Sequence, residues 1–80
     1  MGHGRQKPKR LARKLLAVRK QLNVSQTEIA KLLKLEISYT AVSGFELATR
    51  VPDLIVLLRY ARLAGVSTDV LIDDKLNLPK

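Results

Sequence analysis

The sequence has no cysteine and no tryptophan. The absence of cysteine excludes disulfides, zinc fingers, iron–sulfur clusters and thiol catalysis. The aromatic residues are Tyr39, Phe45 and Tyr60, which argues against a stacking platform for RNA bases. The single histidine, His3, lies between Gly2 and Gly4, so no metal site is expected, and nothing else in the sequence asks for a cofactor. The longest apolar stretch, Leu54 to Leu58, meets Arg59 far short of the roughly 20 residues a membrane span needs. The first residues lack the apolar core of a signal peptide, so a cytoplasmic location is expected. No Ser/His/Asp set, no carboxylate pair with a base and no glycine-rich phosphate loop is present, and Asp73-Asp74 reads as a solvated tail, so an enzyme is not expected. A chain of 80 residues leaves room for one domain, and its apolar fraction of 46% argues against wholesale disorder.

Positive charge, by contrast, is abundant and unevenly placed. The formal net charge is +8. Arg5, Lys7, Lys9, Arg10, Arg13, Lys14, Arg19 and Lys20 all precede the first acid, Glu28. From Asp53 onward the balance is even, with Asp53, Asp69, Asp73 and Asp74 against Arg59, Arg62, Lys75 and Lys80. A focused basic patch on a small domain suggests a polyanion, most often nucleic acid. The competing explanations are a solvated surface, an acidic protein or a membrane surface, the last disfavoured because the apolar side of this segment is claimed by a core.

The apolar positions follow a period of 3.6 and predict helices throughout. Leu11, Leu15, Val18 and Leu22 form one stripe of a helix over residues 9–22, with Arg10, Arg13, Lys14, Lys20 and Gln21 mostly off it. Residues 1–8 read as a basic N-terminal arm. Ser25 and Glu28 form a capping box for a second helix, with Val24 and Ile29 as a hydrophobic staple and Leu32 and Leu33 continuing the buried face. Ser38 starts a third, short helix over about 39–47, with Ile37 and Val42 as its staple and Val42 and Phe45 facing inward. Pro52 stops it. Asp53 caps a fourth, whose expected stripe is Leu54, Leu57, Leu58 and Ala61, and Gly65 ends it. Ser67 caps a fifth, with Val66 and Leu71 as staple. The domain is expected over residues 9–74, with a tail over 75–80.

The second and third helices are joined by a short connection, as in a helix-turn-helix. The run Ser25-Gln26-Thr27-Glu28-Ile29-Ala30, then Ile37-Ser38-Tyr39-Thr40-Ala41-Val42-Ser43-Gly44-Phe45-Glu46, then Pro52, resembles the Cro/C1-type (xenobiotic-response-element, XRE) helix-turn-helix domain. Arg19 and the Leu63-Ala64-Gly65-Val66-Ser67 junction fit its pattern, and the resemblance covers residues 11–73. It implies an all-α, five-helix bundle of the lambda-repressor-like DNA-binding type. It also implies a DNA-binding transcriptional regulator, a small repressor that places helix 3 in the major groove of a two-fold symmetric site. Its partner would then be double-stranded DNA, bound as a homodimer at the nucleoid. The alternative on the same scaffold is an antitoxin-like or adaptor module whose helix 3 face binds a protein partner.

Residue roles follow from the resemblance. Arg19 and Glu46 would form a structural ion pair joining helix 1 to the end of helix 3. Ala30 would sit at the crossing of helices 2 and 3. Tyr39, Thr40, Ser43 and Gly44 occupy the base-contacting side of helix 3. Gln26, Ser38, Arg50, Arg10 and Lys9 are the candidates for the DNA backbone. Simpler roles compete: an ordinary first-turn residue for Gln26, packing over helix 2 for Tyr39, mere solvation for Thr40 and Ser43.

Three departures from the family pattern stand out. The turn between Leu33 and Ile37 is about two residues longer than usual, so helix 2 runs on by half a turn or the turn bulges. Ala48 stands where a glycine usually ends helix 3. The recognition face has no Arg, Lys, Gln or Asn, the side chains that contact base edges bidentately. Charge therefore supplies affinity more convincingly than helix 3 supplies specificity. Near the C-terminus, Leu71, Ile72, Leu76 and Leu78 either form a dimer interface or close the bottom of the core.

Overall fold

A computed structural model describes residues 8–79. Of the expected N-terminal arm, residues 1–7, including His3, Arg5 and Lys7, lie outside the described residues. Five helices follow one another: α1 (Leu11–Leu22), α2 (Gln26–Leu32), α3 (Tyr39–Glu46), α4 (Leu54–Ala64) and α5 (Thr68–Ile72). The described residues contain no strand, so the all-α expectation holds.

Helix α1 buries Leu11, Leu15 and Val18, while Leu22 is 36% exposed. Lys14 is buried with them, against the expectation that it falls off the stripe. It lies between Leu11 and Val18 on the helical net, so its stem shares their face. Its ammonium donates to the carbonyls of Val70 (2.8 Å) and Asp73 (2.9 Å), satisfying acceptors left open at the end of α5. Asn23 ends α1 in the left-handed region at φ 58°, which asparagine tolerates better than most residues.

Ser25 closes the expected capping box. Its hydroxyl accepts from the Glu28 N–H at 3.0 Å, and its own N–H donates to the Glu28 carboxylate at 2.8 Å. The Ser25 backbone N–H and, after it, the Ser25 hydroxyl beside the carboxylate hold the Glu28 carboxyl below the usual range. Ile29, Ala30 and Leu33 are buried, but Leu32 is 43% exposed. Asp53 caps α4 through the Val56 N–H at 3.0 Å. The face that α4 buries is Val56, Leu57, Tyr60 and Ala61, and Leu54 is 80% exposed. Five consecutive apolar residues at its start leave the phase of this helix undetermined by pattern alone.

The helices close on one core, with α3 packed on both α1 and α2, and α5 on α4 and α1. Residues 74–79 return along α1. Asp74 accepts from the backbone N–H of Lys9 (2.9 Å) and Arg10 (3.0 Å), and its carboxyl is held below the usual range by those bonds. The start of α1, which has no side-chain cap of its own, is thus capped from the far end of the chain. Asp74 is not the solvated tail residue expected. Leu71 is buried and Leu78 half-buried against the core, whereas Ile72 and Leu76 are 41% and 40% exposed, so this apolar group divides between core and surface.

Candidate nucleic-acid interface

Helix α3 is fixed to the bundle at its C-terminal end by an ion pair. Arg19 of α1 grips Glu46 in a fork, Nε to Oε2 at 2.7 Å and Nη2 to Oε1 at 3.0 Å. Its remaining terminal nitrogen donates to the Val24 carbonyl at 3.1 Å. Gln26, the first residue of α2, donates from its side-chain amide to Glu46 at 3.1 Å. One carboxylate therefore gathers α1, α2 and α3. The Glu46 side chain is 5% exposed and that of Arg19 18%, so the pair is nearly dry and its hydrogen bonds must be complete. The bond to Glu46 keeps the Arg19 guanidinium firmly protonated. Tyr60 lies deep in the bundle, and burial pushes its phenol well above the ordinary value.

The turn before α3 bulges, and α2 does not run on. Leu33 ends α2, Lys34 takes φ 55°, and the Ile37 N–H turns back to the Leu35 carbonyl at 2.8 Å. The half-buried side chains of Leu35 and Ile37 pack on the core, and Arg59 of α4 reaches the Leu33 carbonyl at 3.4 Å. The extra residues are thereby absorbed as a fixed bulge at the entry to α3.

Ser38 has the extended backbone of an N-cap, yet its side chain makes no capping bond. The same holds for Ser67 at α5. Both capping expectations fail at the side chain. The Ser38 hydroxyl and the first turn of α3 are left open at the surface.

Along α3, Ala41, Val42 and Phe45 face the core. The outward stripe is Tyr39 (58% exposed), Thr40, Ser43 and Leu47 (70% exposed). Leu47 was not anticipated, although it follows Ser43 by four residues and so continues the same stripe. Gly44 does not belong to that stripe. It is buried, and the Arg50 side chain lies over it: a Cβ on Gly44 would come within 2.9 Å of Arg50 Cγ and Cδ. The expectation of a base contact from Gly44 itself is corrected, since it has no side chain and its surface is covered.

The end of α3 explains how Arg50 gets there. Ala48 takes φ 63°, the left-handed conformation usually given to glycine. The chain then folds back so that the N–H groups of Thr49 (3.0 Å) and Arg50 (3.1 Å) both donate to the Gly44 carbonyl. This closure satisfies an end carbonyl of α3. Lys9 and Arg50 line one shallow depression together with Leu11 and Pro52, so the start of α1 brings its first described cation beside Arg50.

Arg10 behaves differently. Its guanidinium donates to the carbonyls of Asp74 (2.7 Å) and Leu76 (3.3 Å) and to the side chain of Asn77. It is engaged in holding the C-terminal segment while remaining exposed at the surface. Gln26 is also engaged, through Glu46. Of the candidates for the DNA backbone, Lys9, Ser38 and Arg50 remain with open side chains among the described residues.

Among the described residues no cluster of His, Cys, Asp or Glu is suited to a metal, and no helix is long and apolar enough to cross a membrane. No curated protein matches the chain. A solved structure of the P22 c2 repressor protein, in complex with synthetic operator 9T, shares the fold with a TM-score of 0.72. The two are 24% identical, and the alignment covers 88% of this chain and 98% of that one. The helix-turn-helix family model matches residues 15–71. Ordered motifs, a Glu46-centred brace between the helices and a family match over most of the chain agree: the chain belongs to the helix-turn-helix family of Cro/C1 type, a family of DNA-binding transcriptional regulators.

Proposed function

We propose that this protein is a small repressor that acts by occupying duplex DNA, with α3 in the major groove of a two-fold symmetric site. The observation that carries this reading is the mounting of α3. One end is locked by Arg19, Gln26 and Glu46, while Tyr39, Thr40, Ser43 and Leu47 stand outward, and Arg50, folded over Gly44 of the same helix, shares a depression with Lys9. A rigid helix with an open face and cations at its flank has the form a groove reader needs.

The open face is small and partly apolar. Thr40 and Leu47 suit contact with thymine methyl groups, and Tyr39 offers a hydroxyl to a base or phosphate. The Ser38 hydroxyl and the first N–H groups of α3 suit a phosphate oxygen. Lys9 and Arg50 add the charge that drives affinity and makes it salt-dependent. Two copies would double these contacts and read half-sites about one helical turn apart. The P22 c2 repressor, which shares the fold, was solved with an operator, and this supports the same mode here. We place the protein in the cytoplasm, at the nucleoid, acting without catalysis.

A second reading, a protein-interaction module, is favoured by one observation. Leu47, Val51, Leu54 and Ile55 are 70%, 52%, 80% and 53% exposed, a large apolar share for one end of a small bundle. Selection from a randomised duplex library at two salt concentrations decides between the readings. An enriched two-fold motif that survives the higher salt is the expected result. Binding without a motif that fades with salt favours the interaction module.

A further inference from the structure

The exposed stripe of α3 carries none of the side chains that read base edges bidentately. We infer that the missing reader is Arg50, seated over Gly44 so that it projects from the flank of α3 and recognises guanine. This rests on the proposed groove-reading role of α3.

Three observations converge on it. First, the seat is shaped for this side chain. A Cβ on Gly44 would lie 2.9 Å from both Cγ and Cδ of Arg50 and 3.2 Å from its Cβ, closer than the roughly 3.5–4.0 Å at which carbon atoms pack. Any other residue at position 44 would push the arginine stem off the helix. A glycine inside a helix costs about 1 kcal/mol relative to alanine, and here it clears the surface that Arg50 covers. Second, the backbone delivers Arg50 to that seat. The Ala48 reversal at φ 63° and the two bonds to the Gly44 carbonyl fold residues 49–50 back onto the helix. Third, the guanidinium is open. Arg10 and Arg19 direct their donors to acceptors of the fold, whereas the Arg50 side chain meets no acceptor among the described residues and is exposed. Its stem is held while its planar fork of donors faces outward.

Position 44 is four residues beyond Thr40 and one beyond Ser43, so Arg50 extends the reading surface on the Thr40 side. A guanidinium there is placed to donate to O6 and N7 of a guanine, the bidentate pairing an arginine fork fits best. Arg50 is thus a base-contacting candidate, and Gly44 a positioning residue that acts only through it.

The test is selection from a randomised duplex library by the full chain and by Arg50→Lys, Gly44→Ala, Arg50→Ala and the Arg50→Ala/Gly44→Ala double variant, with thermal melting as a control for folding. The expected result is a guanine at one position of each half-site in the wild-type motif. Preference for that guanine should fall about ten-fold in Arg50→Lys, which keeps the charge but loses the fork. Gly44→Ala should lose the same preference with its salt slope unchanged, because the charge remains. Adding Gly44→Ala to Arg50→Ala should change nothing further. A wild-type motif that keeps its guanine in Arg50→Lys and Gly44→Ala overturns the inference while leaving groove reading by α3 intact. Loss of affinity for all sequences alike, with the motif unaltered, reduces Arg50 to a phosphate contact and also overturns it. A wild-type chain that selects no motif overturns both this inference and the repressor reading.

Discussion

Two faces of this bundle use arginine and lysine in opposite ways. At the start of α1, the buried Lys14 and the exposed Arg10 both donate to carbonyls of the C-terminal segment. Beside α3, Lys9 and Arg50 line an open depression with their charged ends at the surface. Arg19 does neither, and ties α1 to the end of α3 through Glu46. A net charge of +8 therefore overstates the polyanion-binding surface, because part of it closes the fold. Position on the helical net, and the presence of unpaired backbone carbonyls nearby, decide which cation does which.

The largest test of this division is Glu46→Ala. It would leave the Arg19 guanidinium nearly buried without its fork partner, a loss of about 3 kcal/mol. At roughly 4–8 °C per kcal/mol for a domain this small, melting should fall by at least about 10 °C. An unchanged melting temperature would show that α3 is not held through this carboxylate. Next comes Lys14→Ala, which strips two carbonyls of their donor and removes a buried stem. We expect a loss of about 2 kcal/mol from the unsatisfied carbonyls and lost packing, with little change in DNA affinity of the folded protein. Arg50→Ala should do the reverse, leaving melting unaltered while relaxing the preference for guanine at one position of each half-site. Equal behaviour of the two variants in both assays would erase the distinction between the faces.

The two serines that precede α2 and α3 sharpen it further. Ser25→Ala should cost about 1 kcal/mol, since it breaks a complete capping box. Ser38→Ala should cost less than about 0.5 kcal/mol, the usual range for a surface change that touches no cap. A larger loss in Ser38→Ala than in Ser25→Ala would mean that α3 is capped after all. At the other end of α3, Ala48→Gly should stabilise the fold by roughly 0.5–1 kcal/mol, because glycine accepts the left-handed conformation without a Cβ penalty. Melting that falls in this variant would show that Ala48 contributes something beyond its backbone.

How much of this was legible in the sequence depends on the range of the interaction. Capping by Ser25 and Asp53, the αL end at Gly65, and the Arg19–Glu46 pair are carried by local spacing or by an ordered motif, and all are present. The phase of α4 was not legible, because Leu54 to Leu58 are apolar in succession and every face looks alike. Lys14 was misplaced because its charge outweighed its position between Leu11 and Val18. Asp74, which caps α1 from 64 residues away, left no local sign at all. The role of Gly44 was hidden for a related reason: a glycine states only what it lacks, and the Arg50 stem that uses the space arrives from beyond a turn.

Asp74 also supplies the smallest of the expected effects, and one with a defined sign. Its carboxylate accepts two backbone N–H groups at the start of α1, and those bonds hold its folded-state pKa below the ordinary value. The folded protein thus binds this proton less readily than the unfolded chain does. Its contribution to stability is complete above the ordinary carboxylate pKa and disappears as pH falls through the lowered folded value. Glu28 at the start of α2 acts in the same sense, so both carboxylates contribute to the acid limb of the stability curve. Asp74→Asn should remove only its own part. Melting followed from neutral pH down to about pH 2 should show the variant below wild type at neutral pH and the gap closing in acid. Adding Glu28→Gln should lessen the slope of the limb further. A gap between Asp74→Asn and wild type that stays constant with pH would mean that Asp74 joins α1 to the C-terminal segment by shape and hydrogen bonding alone, with no contribution from its charge.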